Sequence, residues 1–145
     1  MDLVIKLTSP DVSFIQELPV SRIATSTKNG NPRVRPIWHI YDGNNVYFAS
    51  DPGTVKLRHI KQNPNVSIVF DDYDRTNWSN LRGIRVQGTA KILYKGKKYR
   101  HAHGLLKDKY PEYRTTQGGW KEGEIPIIKI TLKSFGKWTD GEWKE

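Results

Sequence analysis

The sequence predicts a mainly β fold with short helices, arranged as a six-stranded antiparallel β-barrel. Two observations predict it: short runs alternate apolar and polar residues, and turns rich in Gly and Asn separate most of those runs. Apolar residues recur at helical spacing only in brief segments. Closure into a barrel is expected because it removes exposed strand edges. A chain of 145 residues is expected to form a single domain over residues 1–145.

A helix and three strands are predicted in the first third of the chain. Ser9 suits an N-cap and Pro10 suits the first turn of a helix over residues 9–18. The strands are expected over residues 21–27, 33–41 and 46–49. Turns containing Asn-Gly or Asp-Gly separate these strands and tolerate positive φ, so the strands are expected to pair as hairpins.

The rest of the chain alternates helices and strands. Helical spacing predicts helices over residues 53–62 and 97–109, each ended by a nearby proline. Strands are expected over residues 66–70, 82–94 and 125–133, with a polar loop over 71–81 and a Gly-rich loop before the last strand. The strand over 82–94 alternates best and is expected to have one face in water.

Composition limits the function classes. The chain has no Cys, which excludes disulfides, thiolate metal sites and cysteine nucleophiles. The HxH pair His101 and His103 points to different sides of a helix, so no metal site is expected. No apolar run reaches membrane-spanning length and the N-terminus lacks a signal pattern, so we expect a cytoplasmic protein. Lys and Arg number 24 against 15 acids, a net charge of +9, which favours anionic ligands.

The transition from strand to helix at residues 50–59 is the strongest candidate site. The first N–H groups of a helix bind anions, and the small residues Ser50, Gly53 and Thr54 would let a phosphate approach them. Lys56 and Arg58 are cations near the start of the helix, where they oppose its dipole unless an anion lies between them. The alternative is a solvated helix start whose basic residues face water.

A second candidate is the strand over residues 33–39. Alternation places Arg33 and Arg35 side by side, and guanidinium groups match phosphate or carboxylate oxygens. Pro36 cannot donate to a strand ladder, so it marks an edge or bulge where a flat ligand could lie against the backbone. The alternative is an exposed strand of a basic protein.

The order and spacing of three stretches resemble the pyridoxamine 5′-phosphate oxidase-like split-barrel family. These stretches are RIATSTKNGNPRVRPIWHIYDGNNVYFASDPGTVKLRHIKQNPNVSIVF, then RVQGTAKIL, then IIKITLKSFGKW. The resemblance covers roughly residues 12–138 and implies an FMN-binding split barrel. It also implies a homodimer whose interface holds FMN, or the deazaflavin F420, in two equivalent sites.

The resemblance assigns cofactor-binding positions. The family's proline-containing strand falls on Gly30, Pro32 and Pro36, and its phosphate ligands fall on Ser50 and Lys56. The cofactor-binding residues it suggests are Arg33, Val34, Arg35, Pro36, Ser50, Thr54, Lys56, His59, Trp78 and Gln87. Trp78 and Gln87 would reach the cofactor from the partner subunit. The chain lacks the C-terminal segment with Arg and His that the vitamin B6 oxidases use, so pyridoxamine phosphate is not the expected substrate.

The resemblance implies an oxidoreductase that moves a hydride to or from FMN and a small-molecule substrate, and it names no catalytic residue. F420 is the alternative cofactor, because its oligoglutamate tail would suit a basic protein. Two other functions remain open. One is a cofactor carrier or sensor without turnover. The other is a basic barrel whose Lys and Arg contact nucleic-acid phosphates, although the basic residues are scattered rather than arranged in a stripe.

Overall fold

A computed structural model describes residues 6–115, 120–139 and 141–145. The helices are α1 (Ser9–Glu17), α2 (Val55–Gln62), α3 (Lys97–Lys109) and α4 (Glu112–Thr115), with a 3-10 turn at Trp78–Asn80. The strands are β1 (Ser21–Ser26), β2 (Pro32–Ile37), β3 (His39–Tyr41), β4 (Asn45–Ala49), β5 (Asn65–Asp72), β6 (Arg82–Leu93), β7 (Ile127–Thr139) and β8 (Glu142–Lys144). The predicted mainly β fold with short helices is confirmed.

The strands form one antiparallel sheet in the order β2-β1-β5-β6-β7-β4-β3, with β8 paired to β7. β2 and β3 lie at opposite ends of this order, although only Trp38 separates them in the chain. The buried side chain of His39 on β3 forms a 2.7 Å hydrogen bond with Ser21 on β1. This contact links β3, at one end of the curled sheet, to β1, which is next to the strand at the other end; the fold is a split barrel.

The structure differs from the predicted elements in three places. The strand expected over residues 33–41 is interrupted at Trp38, because β2 pairs with β1 whereas β3 pairs with β4. The last strand continues to Thr139, and β8 folds back on it with Trp138 opposite Trp143. α4 lies just before the Gly-rich loop, where the sequence predicted no element. The described strands therefore number eight rather than the six expected.

The start of α1 also differs in detail. Its N-cap is Thr8 rather than Ser9, and the Thr8 hydroxyl accepts a hydrogen bond from the Asp11 backbone N–H. The Asp11 carboxylate accepts one from the Thr8 N–H at 2.9 Å, which completes a capping box. Asp11 is also ion-paired with Arg82 and Lys137, which ties α1 to β6 and β7.

Two apolar clusters stabilise the fold. The first fills the barrel with alternating side chains, such as Ile23, Ile68, Val86 and Ile130, each at most 1% exposed. The second lies outside the barrel, where Tyr99, Ala102 and Leu106 of α3 pack on β3, β4 and β7. α3 therefore covers the outer face of β4, and the end of β4 leads directly into the candidate site.

None of the described helices is long and apolar enough to cross a bilayer.

Candidate functional site

A cavity of about 320 Å³ opens where β4 ends and α2 begins. The Ser50 backbone N–H donates to the Pro126 carbonyl at 3.1 Å, which fixes the end of β4 beside the start of β7. The chain then turns through Gly53, whose φ of +78° favours glycine. The lining residues are Trp38, Ala49, Ser50, Asp51, Thr54, Lys56, Tyr113 and Ile125.

The start of α2 presents hydroxyl groups and backbone N–H groups to this cavity. Ser50, which is 5% exposed, forms a 2.8 Å hydrogen bond with the Thr54 hydroxyl. Thr54 is the N-cap, yet its side chain does not cap the helix N–H groups, and the first turn holds no acidic residue. The hydroxyl groups of Ser50 and Thr54 therefore line the cavity close to the positive end of the helix dipole.

Lys56 lines the cavity, and the charge of Arg35 lies near enough to act on it. Lys56 lies on α2, whereas Arg35 lies on β2. Burial and then the neighbouring Arg35 charge lower the pKa of Lys56, and Asp51 partly offsets both effects. An anion between the two cations would relieve their repulsion and satisfy the helix N-terminus.

Arg58 and His59, which the sequence placed near the phosphate site, have other contacts. The Arg58 guanidinium donates to the Gly53 carbonyl at 2.7 Å, so it supports the turn before α2. His59 is 7% exposed and forms a 3.0 Å hydrogen bond with the Thr25 hydroxyl. Neither side chain lines the cavity. The predicted role of His59 as a cofactor neighbour stays a prediction.

The remaining predicted residues of β2 are accessible. Arg33, Val34 and Pro36 are exposed, and Val34 is 61% exposed. β2 pairs only with β1, so Pro36 lies on an edge strand as its missing N–H predicts. An edge with an exposed apolar Val and a Pro offers a flat surface against which a ring could pack.

Gln87 lies in a different place from Ser50 and Lys56. It is exposed on β6 and accepts a 3.2 Å hydrogen bond from the Ser134 hydroxyl. It lines a shallow groove of about 560 Å³ formed by β1, β5, β6 and β7 together with Gly30 and with Pro32 at the start of β2. One copy of the chain does not bring Gln87 into the Ser50 cavity. The side chain of Trp78 lies outside the described part of the structure.

Two aromatic residues form a wall of the cavity that sequence reasoning missed. Trp38 stacks on Tyr110 with a centroid distance of 5.1 Å and contacts Tyr113 at 5.5 Å. Burial, followed by the charges of Asp51 and Glu112, raises the pKa of Tyr113 to about 12. Pro36 indicated an edge or bulge in this strand, whereas nothing in its sequence neighbourhood placed Tyr113 at the site.

The chain was compared with protein families and with known proteins. The family model "Pyridoxamine 5′-phosphate oxidase" matches residues 10–138. A pyridoxine/pyridoxamine 5′-phosphate oxidase of Citrobacter koseri is 25% identical over 151 aligned positions, which cover 83% of this chain. The chain spans 65% of the length of that curated relative.

Solved structures share the fold. A conserved hypothetical protein of Mycobacterium tuberculosis, Rv2991, has a TM-score of 0.76 at 16% identity, over 93% of this chain and 86% of that one. The heme storage protein HutZ of Vibrio cholerae has a TM-score of 0.74 at 14% identity, over 93% and 95%. An F420 reductase has a TM-score of 0.61 at 24% identity, over 85% and 93%.

The family match covers nearly the whole barrel and includes every strand from β1 to β7 apart from the last residue of β7. The chain belongs to the pyridoxamine 5′-phosphate oxidase family.

Proposed function

We propose that this chain is an FMN-dependent oxidoreductase that binds the FMN phosphate in the Ser50 cavity and acts as a homodimer. The observation that carries the proposal is that Ser50, Thr54 and Lys56 line one cavity at the uncapped start of α2, with the charge of Arg35 acting on Lys56. Family membership supports it, since the matched family is named for an oxidase.

The residues present fit a phosphate group. Lys56 and Arg35 would provide charge-assisted hydrogen bonds, and Ser50 and Thr54 would provide hydroxyl donors. The charge of Asp51 reduces the positive charge of the cavity without cancelling it. Binding of a dianion is expected to raise the pKa of Lys56, because it places negative charge beside the half-buried ammonium group.

A second copy of the chain would complete the site. A cavity of about 320 Å³ is at the lower limit for ligands of cofactor size, which usually occupy about 300–1,000 Å³. Gln87 lies in a separate groove of the same chain. A dimer that brings this groove of one copy over β2 of the other would place Gln87 near Arg33, Val34 and Pro36.

The protein's part in the reaction is binding and orientation. Bound FMN would supply hydride transfer. Arg35 and Lys56 would hold the phosphate, and the exposed side of β2 would position the ring. Trp38 would exclude water from one side of the cavity. The two cations would also favour an anionic reduced state through their positive potential.

The alternative cofactor is F420, which the F420 reductase of the same fold supports. A basic cavity serves both ligands, because both carry anionic groups. Heme is not proposed for the Ser50 cavity, although HutZ is a heme storage protein, because no histidine among the described residues lines that cavity. His39 and His59 are buried and hydrogen-bonded elsewhere.

The test is the absorbance spectrum of the purified protein, followed by titration with FMN and with F420 while tryptophan fluorescence is recorded. We expect saturable binding of FMN at one per subunit. Saturation by F420 alone would replace FMN with the alternative. If neither ligand binds, the proposed function is wrong, and DNA binding that weakens steeply with salt would identify the nucleic-acid alternative.

Paired variants locate the phosphate site. Lys56→Met combined with Arg35→Met removes two charge-assisted contacts, each worth about 1.5–3 kcal/mol, so affinity is expected to fall at least about a hundredfold. The control is Lys28→Met combined with Lys61→Met, which makes the same charge change at exposed positions. Equal FMN affinity in both double variants would show that the phosphate lies elsewhere.

A further inference from the structure

A second concentration of positive charge lies on the outer surface at the start of α3. Lys129 on β7 is directly opposite Lys91 on β6 in the antiparallel ladder. Lys98, in the first turn of α3, lies next to Lys129. Residues from three elements, distant in sequence, therefore bring their ammonium groups together; we call them the lysine triad.

The triad has little negative charge to offset it. Like charges directly opposite each other in a ladder are destabilising, and none of the ion pairs among residues 6–115, 120–139 and 141–145 includes a member of the triad. Burial and then the charges of Lys98 and Lys91 lower the pKa of Lys129, and only Asp42 opposes this effect.

The Asp42 carboxylate has other hydrogen-bond and ion-pair partners. It accepts hydrogen bonds from the backbone N–H groups of Asn44 and Asn45 and forms a 2.9 Å contact with His101. It therefore stabilises the turn between β3 and β4 and leaves the triad largely uncompensated. The first turn of α3 holds no acidic residue. The backbone N–H of its N-cap, Gly96, donates a 2.7 Å hydrogen bond to the Glu122 carboxylate.

We propose that the lysine triad is a binding site for a small multivalent oxyanion such as a phosphoryl group. Three ammonium groups that converge from a helix and two strands can each donate to a different oxygen of one tetrahedral anion. A polymer would instead require cations spaced along a stripe. None of the three lysines lines the Ser50 cavity, and the inference is independent of the proposed cofactor.

The test is calorimetric titration with inorganic tripolyphosphate and with inorganic phosphate, at ionic strength held constant with chloride. It is carried out on the Lys56→Met variant, so that the Ser50 cavity contributes less to the signal. We expect saturable binding of one tripolyphosphate per chain, and weaker binding of phosphate. An increase in Tm with anion concentration is the second readout, because a ligand that binds only the folded state stabilises it.

Two further variants of this background assign the binding to the triad. Lys129→Met is expected to weaken tripolyphosphate binding about tenfold or more, since it removes a contacting charge. Lys28→Met, at an exposed turn position, is the control for the change in net charge and is expected to bind normally. Absence of saturable binding would overturn the proposal. Equal affinity in the Lys129→Met and Lys28→Met variants would overturn it as well.

Discussion

The buried His39 is expected to make the stability of the fold sensitive to acid. His39 is 0% exposed, and its Nε2 lies 2.8 Å from the Ile15 carbonyl, which can only accept a hydrogen bond. Nε2 therefore carries the hydrogen, and in the neutral ring Nδ1 accepts from the Ser21 hydroxyl at 2.7 Å. Protonation of Nδ1 would replace this acceptor with a second buried donor and add a charge.

The pKa of His39 gives the sign and size of the effect. Burial, then the nearby Lys109 charge, lowers this pKa from 6.5 to about 4. Between these values the unfolded chain binds more protons than the folded one, so stability falls as pH falls. From about pH 7.5 to about pH 4.5 the His39 contribution to the loss in free energy of unfolding is about 2 to 3 kcal/mol.

The assay is urea unfolding of the protein and of His39→Gln across that pH range. The glutamine side chain retains a donor and an acceptor but does not titrate. The wild type is expected to lose about 2 to 3 kcal/mol more than the variant on acidification, whatever their difference at neutral pH. Parallel pH dependences in the two proteins would refute the reasoning, because the His39 proton would then bind both states equally.

Three other predictions concern stability and are measured by urea unfolding or Tm. Gly88→Ala is expected to destabilise by more than about 2 kcal/mol, because an added Cβ would lie 2.4 Å from the Thr131 carbonyl oxygen; a loss below about 0.5 kcal/mol would contradict this. Gly104→Ala, inside α3 with nothing within 4 Å of the new Cβ, is expected to stabilise by up to about 1 kcal/mol; destabilisation would contradict this prediction. Contacts with Lys137 and the α1 cap lower the pKa of Asp11 to about 2 against the raising effect of burial, so stability is lost as pH falls from about 4 through 2. Asp11→Asn is expected to cost about 1–2 kcal/mol at neutral pH and to flatten that acid dependence; an unchanged dependence would assign it to other groups.

The local elements could be predicted because each depends on residues close in sequence. The alternation over Ile84 and Val86 predicts β6, and both residues are 1% exposed or less. Asn-Gly turns predict the hairpin of β1 and β2. By contrast, β8 is three residues long and depends on pairing with β7, so no local pattern identifies it.

The candidate site could be predicted only in part. Small residues at the end of a strand, followed by Lys56, indicated an anion site through the chemistry of a helix N-terminus. The proximity of the Arg35 charge to Lys56 could not be predicted, because it depends on how β2 and α2 are placed in the fold. Tyr113 lines the cavity because of the position of α4, a short helix that the sequence did not predict.

The sequence by itself determined the mainly β class, most of the strands and the candidate anion site at Ser50, because periodicity, turn chemistry and helix-end electrostatics act over a few residues. Only the tertiary structure decided the break at Trp38, the separation of Gln87 from the Ser50 cavity and the convergence of Lys91, Lys98 and Lys129. Those features depend on strand register and on the placement of α3, which are set by the packing of side chains far apart in the chain.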